Sequence, residues 1–314
     1  QAAFPVLLKP CRDPAEQNRY LTAQLRDYHA QGYAYEQMAI LFRTNLGIRF
    51  VMDALMKGGI PFHMKDAIPN LFAHWISLDI IAYLRLVSGT GNTRANWLRI
   101  MNRPNRYIKR EALAPFTSDI SVAQLKAYYQ DKDWMLERLD RLEYDLSIMK
   151  RMSPYAAIHY LSNAMKYQDY LKDYAKEHHI NEQELLDVLN AVHESSQSCR
   201  TFAEWFTYID TYTEELQKQA KSPASNDANN ESGVCLCTLH CAKGLEYPIV
   251  FIPDINEDNI PHARAAVDAD LEEERRLFYV GITRAKEHLH LYCVGEASGK
   301  EKFPSRFLEE LNEM

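Results

Sequence analysis

Residues 238–247 read Thr238-Leu239-His240-Cys241-Ala242-Lys243-Gly244-Leu245-Glu246-Tyr247. The stretch grows out of one short apolar run, Val234 to Leu239, and leads into another, Ile249 to Ile252. Runs of that length flanked by polar residues suit buried strands. A strand that passes directly into a loop bearing hydroxyl, imidazole, ammonium and glycine delivers polar groups to the carboxyl edge of a sheet. Ligands of open α/β sheets bind at that edge.

Outward from this stretch, His288 to Val294 is a further strand, and Asp270 to Lys286 (DLEEERRLFYVGITRAK) is a helix with acid at its start and base at its end. That charge order suits the helix macrodipole. Near the amino end, Asp13-Pro14 reads as a cap followed by proline at the first helical position, with Leu21, Leu25 and Tyr28 at helical spacing. Met38 to Phe42 (MAILF) is a buried strand, a second helix runs to Gly58-Gly59, and Ile60 to Met64 is a candidate strand. Strands alternating with helices predict a parallel sheet with crossover helices. From about Trp75 to Leu216 the pattern is almost entirely helical. Lys221 to Gly233 (KSPASNDANNESG) is a linker by composition, open to proteolysis. The expectation is an α/β sheet domain made of residues 1–88 and 229–314, interrupted by a helical insertion over 89–228 that ends in the linker.

Composition limits the function classes. The chain has 314 residues, 46% hydrophobic and 25% charged, ordinary for a folded protein and sufficient for two domains. No apolar run approaches the ~20 residues of a membrane helix. A net charge of −7 argues against a surface basic all over but leaves room for a local basic patch. Six cysteines are too few for a disulfide scaffold, and no leader-like segment opens the chain, so a cytoplasmic setting is expected. The chain begins at Gln1 rather than methionine, and the expectation is a piece of a longer polypeptide.

TLHCAKGLEYPIVFIPDI, followed by IPH and then EEERRLFYVGITRAKEHL, resembles the last two motifs of UvrD-like superfamily one DNA helicases. AILFRTNLGIRFVMDALMKGGIPFHM resembles the motif that opens the second motor domain of the same family. The resemblance covers about residues 1–88 and 229–294 well and the helical middle weakly. It implies a RecA-like second motor domain with an accessory helical insertion, belonging to an ATP-dependent 3′-to-5′ DNA helicase or translocase. The phosphate loop G-x-x-x-x-G-K-[ST] is absent from the sequence; the nearest stretch, Gly295 to Glu301, has the wrong spacing and no hydroxyl at the last position. The resemblance therefore implies that an amino-terminal motor domain supplies that loop and the Mg2+ carboxylates, so this chain alone is expected to be inactive.

The family's roles fall on matching residues. Phe42 resembles an adenine-stacking aromatic, and Glu246 a ribose-hydroxyl acceptor. Arg43 and Arg284 resemble two arginines directed at the γ-phosphate, where a planar guanidinium stabilises the spreading negative charge. Thr238, His240, Lys243 and His262 match positions near single-stranded DNA, suitable as phosphate contacts without sequence readout. In the insertion, Arg94 to Arg110 (RANWLRIMNRPNRYIKR) holds six basic residues and no acidic one. Its Arg99, Arg103, Arg106, Lys109 and Arg110 form a candidate duplex or phosphate patch, although the glycines of the family's duplex-contacting turn are absent. Between Arg43 and Thr238 lie 194 residues, fewer than UvrD-like proteins usually carry there.

Two other readings compete. Cys235, Cys237, His240 and Cys241 form a compact cluster, but strand alternation gives only Cys235 and Cys237 a common face. No second C-x-x-C pair completes a zinc framework, so no metal site is expected. The chain also suits a DNA-binding or interaction module whose motor partner turns over no ATP. Arg43, Glu246 and Arg284 argue against that module, since a scaffold has no physical need for γ-phosphate arginines.

Overall fold

The computed structural model describes residues 5–66, 69–221, 232–263, 265, 268–297 and 300–312. Residues 222–231, the body of the expected linker, lie outside the described residues. By contact density the chain divides into two compact units, Gln1–Pro69 with Glu215–Met314, and Asn70–Glu214. The division falls at 69/70 and 214/215 rather than at 88 and 229. The apolar helix Trp75–Ser88 therefore belongs with the helical unit, whose core it builds.

The first unit is a six-stranded sheet. Its strands are β1 (Val6–Cys11), β2 (Met38–Phe42), β3 (Phe62–Met64), β4 (Val234–Thr238), β5 (Tyr247–Ile252) and β6 (Ala285–Val294), in the order β1-β6-β5-β2-β4-β3. Every pairing is parallel. Strands from both ends of the sequence join one sheet, the α/β class that the alternating pattern predicts. The interior strands β2 and β4 read as continuous apolar runs because both their faces are covered. β1, absent from the expected strands, is an edge strand with Val6, Leu7 and Leu8 exposed.

The helices of this unit are local consequences of sequence. α1 (Pro14–Ala30) starts where the Asp13 carboxylate accepts the Glu16 N–H at 2.8 Å, and Leu21 and Leu25 face the core. α2 (Asn45–Gly58) stops at Gly59, whose φ of 64° lies in the left-handed region.

The second unit contains α3 (Trp75–Ser88), α4 (Arg94–Ile100), α5 (Val122–Tyr128), α6 (Asp133–Met149), α7 (Pro154–Asn163), α8 (Tyr167–His178), α9 (Glu182–Ser195) and most of α10 (Phe202–Lys221). Tyr83, Tyr167 and Trp205 are among its fully buried side chains. Two helices complete the first unit, α11 (Asp268–Ile282) and α12 (Arg306–Asn312). α11 ends earlier than the sequence pattern implies, and Lys286 lies in β6. Among the described residues, no helix is long and apolar enough to cross a membrane.

Candidate nucleotide and nucleic-acid site

All six strands point the same way, so the residue just after a strand and the residue just before one lie at opposite edges of the sheet. Arg43 follows β2, while Thr238 ends β4 in register with Phe42. Both belong to the carboxyl edge. Glu246 precedes β5 and Arg284 precedes β6, and Tyr247 pairs with Ala285. Both belong to the amino edge. With Met38 opposite Ile249, roughly seven residues of strand separate the levels of Phe42 and Glu246, about 23 Å at ~3.3 Å per residue. The sequence-derived residues thus form two groups.

At the carboxyl edge, Arg43 is clasped by a residue the sequence reading missed. Its Nε donates to Glu274 Oε2 at 2.9 Å and its Nη2 to Oε1 at 2.6 Å, with side-chain exposures of 19% and 10%. The His262 backbone N–H donates to the same carboxylate at 3.0 Å. Glu274 therefore brings Arg43 and His262 together, from positions far apart in sequence. Burial raises the Glu274 pKa, but the hydrogen bonds from Arg43 and the His262 N–H outweigh it, and the net shift is downward. The only sequence signal was an acidic run, Glu272 to Glu274, which reads equally well as a solvated helix face.

Phe42 is 2% exposed, and a Cβ on Gly47 of α2 would sit 3.4 Å from its ring. Stacking on adenine requires that ring to be uncovered. The Thr238 N–H donates to Asp66 at 2.6 Å, and the Thr238 hydroxyl oxygen accepts the Cys241 N–H at 3.4 Å. His240 and Lys243 stand exposed on the turn that follows. Between that turn and α11 lies a cavity of about 350 Å³ floored by Leu239, Leu277 and Val280.

At the amino edge, Arg284 is half-buried and holds three neutral oxygens. Nε donates to the Val280 carbonyl at 2.8 Å, Nη1 to the Leu245 carbonyl at 3.0 Å and Nη2 to the Thr283 hydroxyl at 2.9 Å. These bonds fix the guanidinium without neutralising it. Glu246 pairs with Lys286 at 3.0 Å, both more than half exposed, so the pair is cheap to open.

In the second unit the basic stretch divides. Asp79 is fully buried and accepts Arg99 at 3.1 Å, Arg103 at 2.8 Å and the Tyr167 hydroxyl at 2.9 Å. Arg106 donates to the Tyr83 hydroxyl at 2.8 Å and to the Ile100 carbonyl at 3.1 Å. These three arginines organise the interior, while Lys109 and Arg110 are exposed. Cys235 and Cys237 are buried in β4, whereas His240 and Cys241 are exposed. Among the described residues no group of three or more His, Cys, Asp and Glu side chains is placed to hold a metal ion.

A parallel six-stranded sheet with such groups at its edges is the architecture of a RecA-like motor domain. The model of the UvrD-like helicase C-terminal domain matches residues 5–295, and the chain belongs to that family. It is 28% identical to YjcD of Bacillus subtilis (strain 168) over 319 residues, 98% of this chain and 40% of that protein. It is also 28% identical to the ATP-dependent DNA helicase PcrA of Staphylococcus epidermidis (strain RP62A) over 327 residues, 96% of this chain and 43% of that protein. PcrA of Staphylococcus aureus (strain Mu50) matches with the same identity and coverage. The chain spans less than half the length of these curated relatives.

Proposed function

We propose that this chain is the carboxy-terminal part of an ATP-dependent, 3′-to-5′ DNA helicase or translocase. Its partners are an amino-terminal motor domain of the same protein, single-stranded DNA and a duplex junction, with ATP and Mg2+ shared across the two motor domains. The observation that carries the reading is Arg284. A guanidinium fixed by three neutral acceptors keeps its full charge for an incoming anion, which suits a γ-phosphate. Glu246, exposed immediately before β5, suits a ribose hydroxyl once Lys286 yields. The carboxylates that hold Mg2+ are assigned to the amino-terminal domain.

Arg43, the other arginine that the family resemblance singles out, lies at the opposite edge of the sheet and is already neutralised by Glu274, so the γ-phosphate is given to Arg284 and Arg43 is left as a separate phosphate contact. Engaging a phosphate therefore requires the Glu274 clasp to open, whereas Arg284 needs no such release. Thr238, His240, Lys243 and His262 supply part of the single-strand track, while Phe42, buried and at the sheet edge opposite Glu246, is left out of the nucleotide contacts. DNA-binding or interaction without ATP turnover is the competing class.

The test uses the full-length protein. Arg284→Ala lowers ATP turnover by about 10³–10⁵-fold while single-strand binding persists, and Lys substitutes poorly because it lacks the planar fork. The isolated 314-residue chain shows no ATP hydrolysis. Turnover near wild type in both Arg284→Ala and Arg43→Ala would establish the interaction class instead.

A further inference from the structure

Four observations in the helical unit converge on one surface. Tyr107 is 59% exposed and Trp134 50% exposed, both large rings left in solvent. The Arg138 guanidinium lies between them, 4.9 Å from the Tyr107 centroid and 5.2 Å from that of Trp134. Tyr107 has a φ of 60°, a conformation that a bulky side chain adopts at a cost. The turn that imposes it is tightly determined: Asn102 Oδ1 accepts the Ile108 N–H at 2.9 Å, and Asn102 Nδ2 donates to the Ile108 carbonyl at 2.9 Å. The ring is thus held outward by backbone that glycine would occupy more cheaply.

We propose that Tyr107, Arg138 and Trp134 form a stacking platform for unpaired bases of a single-stranded nucleic acid. Every base has a π-face, so aromatic rings and a planar guanidinium accept bases without reading sequence. Stacking Arg138 against two rings orders it before the ligand arrives, which lowers the entropy lost on binding. Lys109 and Arg110, exposed two and three residues beyond Tyr107, are the phosphate contacts. Asp133 and Glu137, exposed on α6, repel phosphate and confine the backbone to the Lys109 side. A duplex offers no free base face except at its ends, so the platform selects single strands. The site is independent of ATP turnover and of the arginines at the sheet edges.

The test is binding of a fluorescein-labelled fifteen-residue oligothymidylate to the purified chain at fixed low salt, read by anisotropy, beside the same strand annealed to oligoadenylate. Tryptophan emission gives a second readout. Trp97 and Trp205 are buried at 2% and 0% exposure and Trp75 is partly buried, so base stacking at the platform quenches Trp134, the exposed one of the four tryptophans, first. Trp134→Ala weakens single-strand binding roughly 5- to 150-fold, the range that one stacked base is worth, while Trp134→Phe retains most of it. Tyr107→Gly removes a ring where glycine suits the backbone, so it weakens binding with the fold intact. Arg138→Lys weakens binding as well, because an ammonium has no plane to stack. Equal affinity for duplex and single strand, wild-type affinity in Trp134→Ala, or no detectable binding would each overturn the proposal.

Discussion

Replacing Glu274 with alanine removes both acceptors of the Arg43 guanidinium and the partner of the His262 N–H in one step. Breaking a buried ion pair by deleting one member typically costs about 3–5 kcal/mol, because the other charge stays desolvated. Arg43 retains 19% side-chain exposure, so water relieves part of that penalty and the lower end, about 3 kcal/mol, is expected. Glu274→Gln keeps the shape and an acceptor oxygen but loses the charge, and its cost falls between wild type and alanine. Arg43→Ala strands the carboxylate in the same way. The double variant removes both charges, so the two single costs do not add; a coupling of about 1.5–3 kcal/mol is expected. The four tryptophans all lie in the other unit, so the suitable assay is native-state hydrogen exchange of β2 and α11 amides. The pair also fixes a pH dependence. The folded carboxyl titrates below its unfolded value, so the contribution is present above about pH 4.5 and disappears as pH falls through the folded pKa. Single costs that add to within about 0.5 kcal/mol would show that the clasp carries no mutual stabilisation.

Three further outcomes are expected. A Cβ at Gly281 would lie 2.4 Å from Leu239 Cδ2 and 3.3 Å from Ile252 Cδ1, both in the packed core, so Gly281→Ala costs about 1–3 kcal/mol by hydrogen exchange, and a neutral effect refutes the close approach of α11 to the sheet. Asp79→Ala leaves Arg99, Arg103 and Tyr167 without their common acceptor and destabilises the helical unit by about 3 kcal/mol, measured by urea unfolding with tryptophan emission. His290 is buried, stacked on Phe251 and bonded to the Tyr28 hydroxyl, and burial with His288 nearby lowers its pKa from 6.5 to about 4. Between those values the unfolded chain binds a proton that the folded one refuses, so acidification from pH 6.5 to 4 removes on the order of 3 kcal/mol, and His290→Gln flattens that slope.

MAILF at 38–42, the Asp13-Pro14 start and the Gly59 stop were legible because each depends on neighbours within a few residues: apolar content, a capping carboxylate, a left-handed backbone. The α/β class followed from their order, and the motifs around Thr238 and Arg284 carried the family resemblance. β1 escaped because VLLKPC has the composition of a strand but the exposure of an edge, and only its pairing with β6 makes it one. The basic stretch 94–110 looked like a single patch. Asp79, fifteen or more residues earlier in the chain, draws two of its arginines inward, and the Tyr83 hydroxyl and backbone carbonyls take a third. The register of the parallel strands separates Arg43 from Arg284 across the sheet, and Glu274 clasps Arg43 from 231 residues away. Capping, periodicity and strand runs are short-range and can be read along the chain, whereas charge pairing and edge placement depend on which segments the sheet brings together.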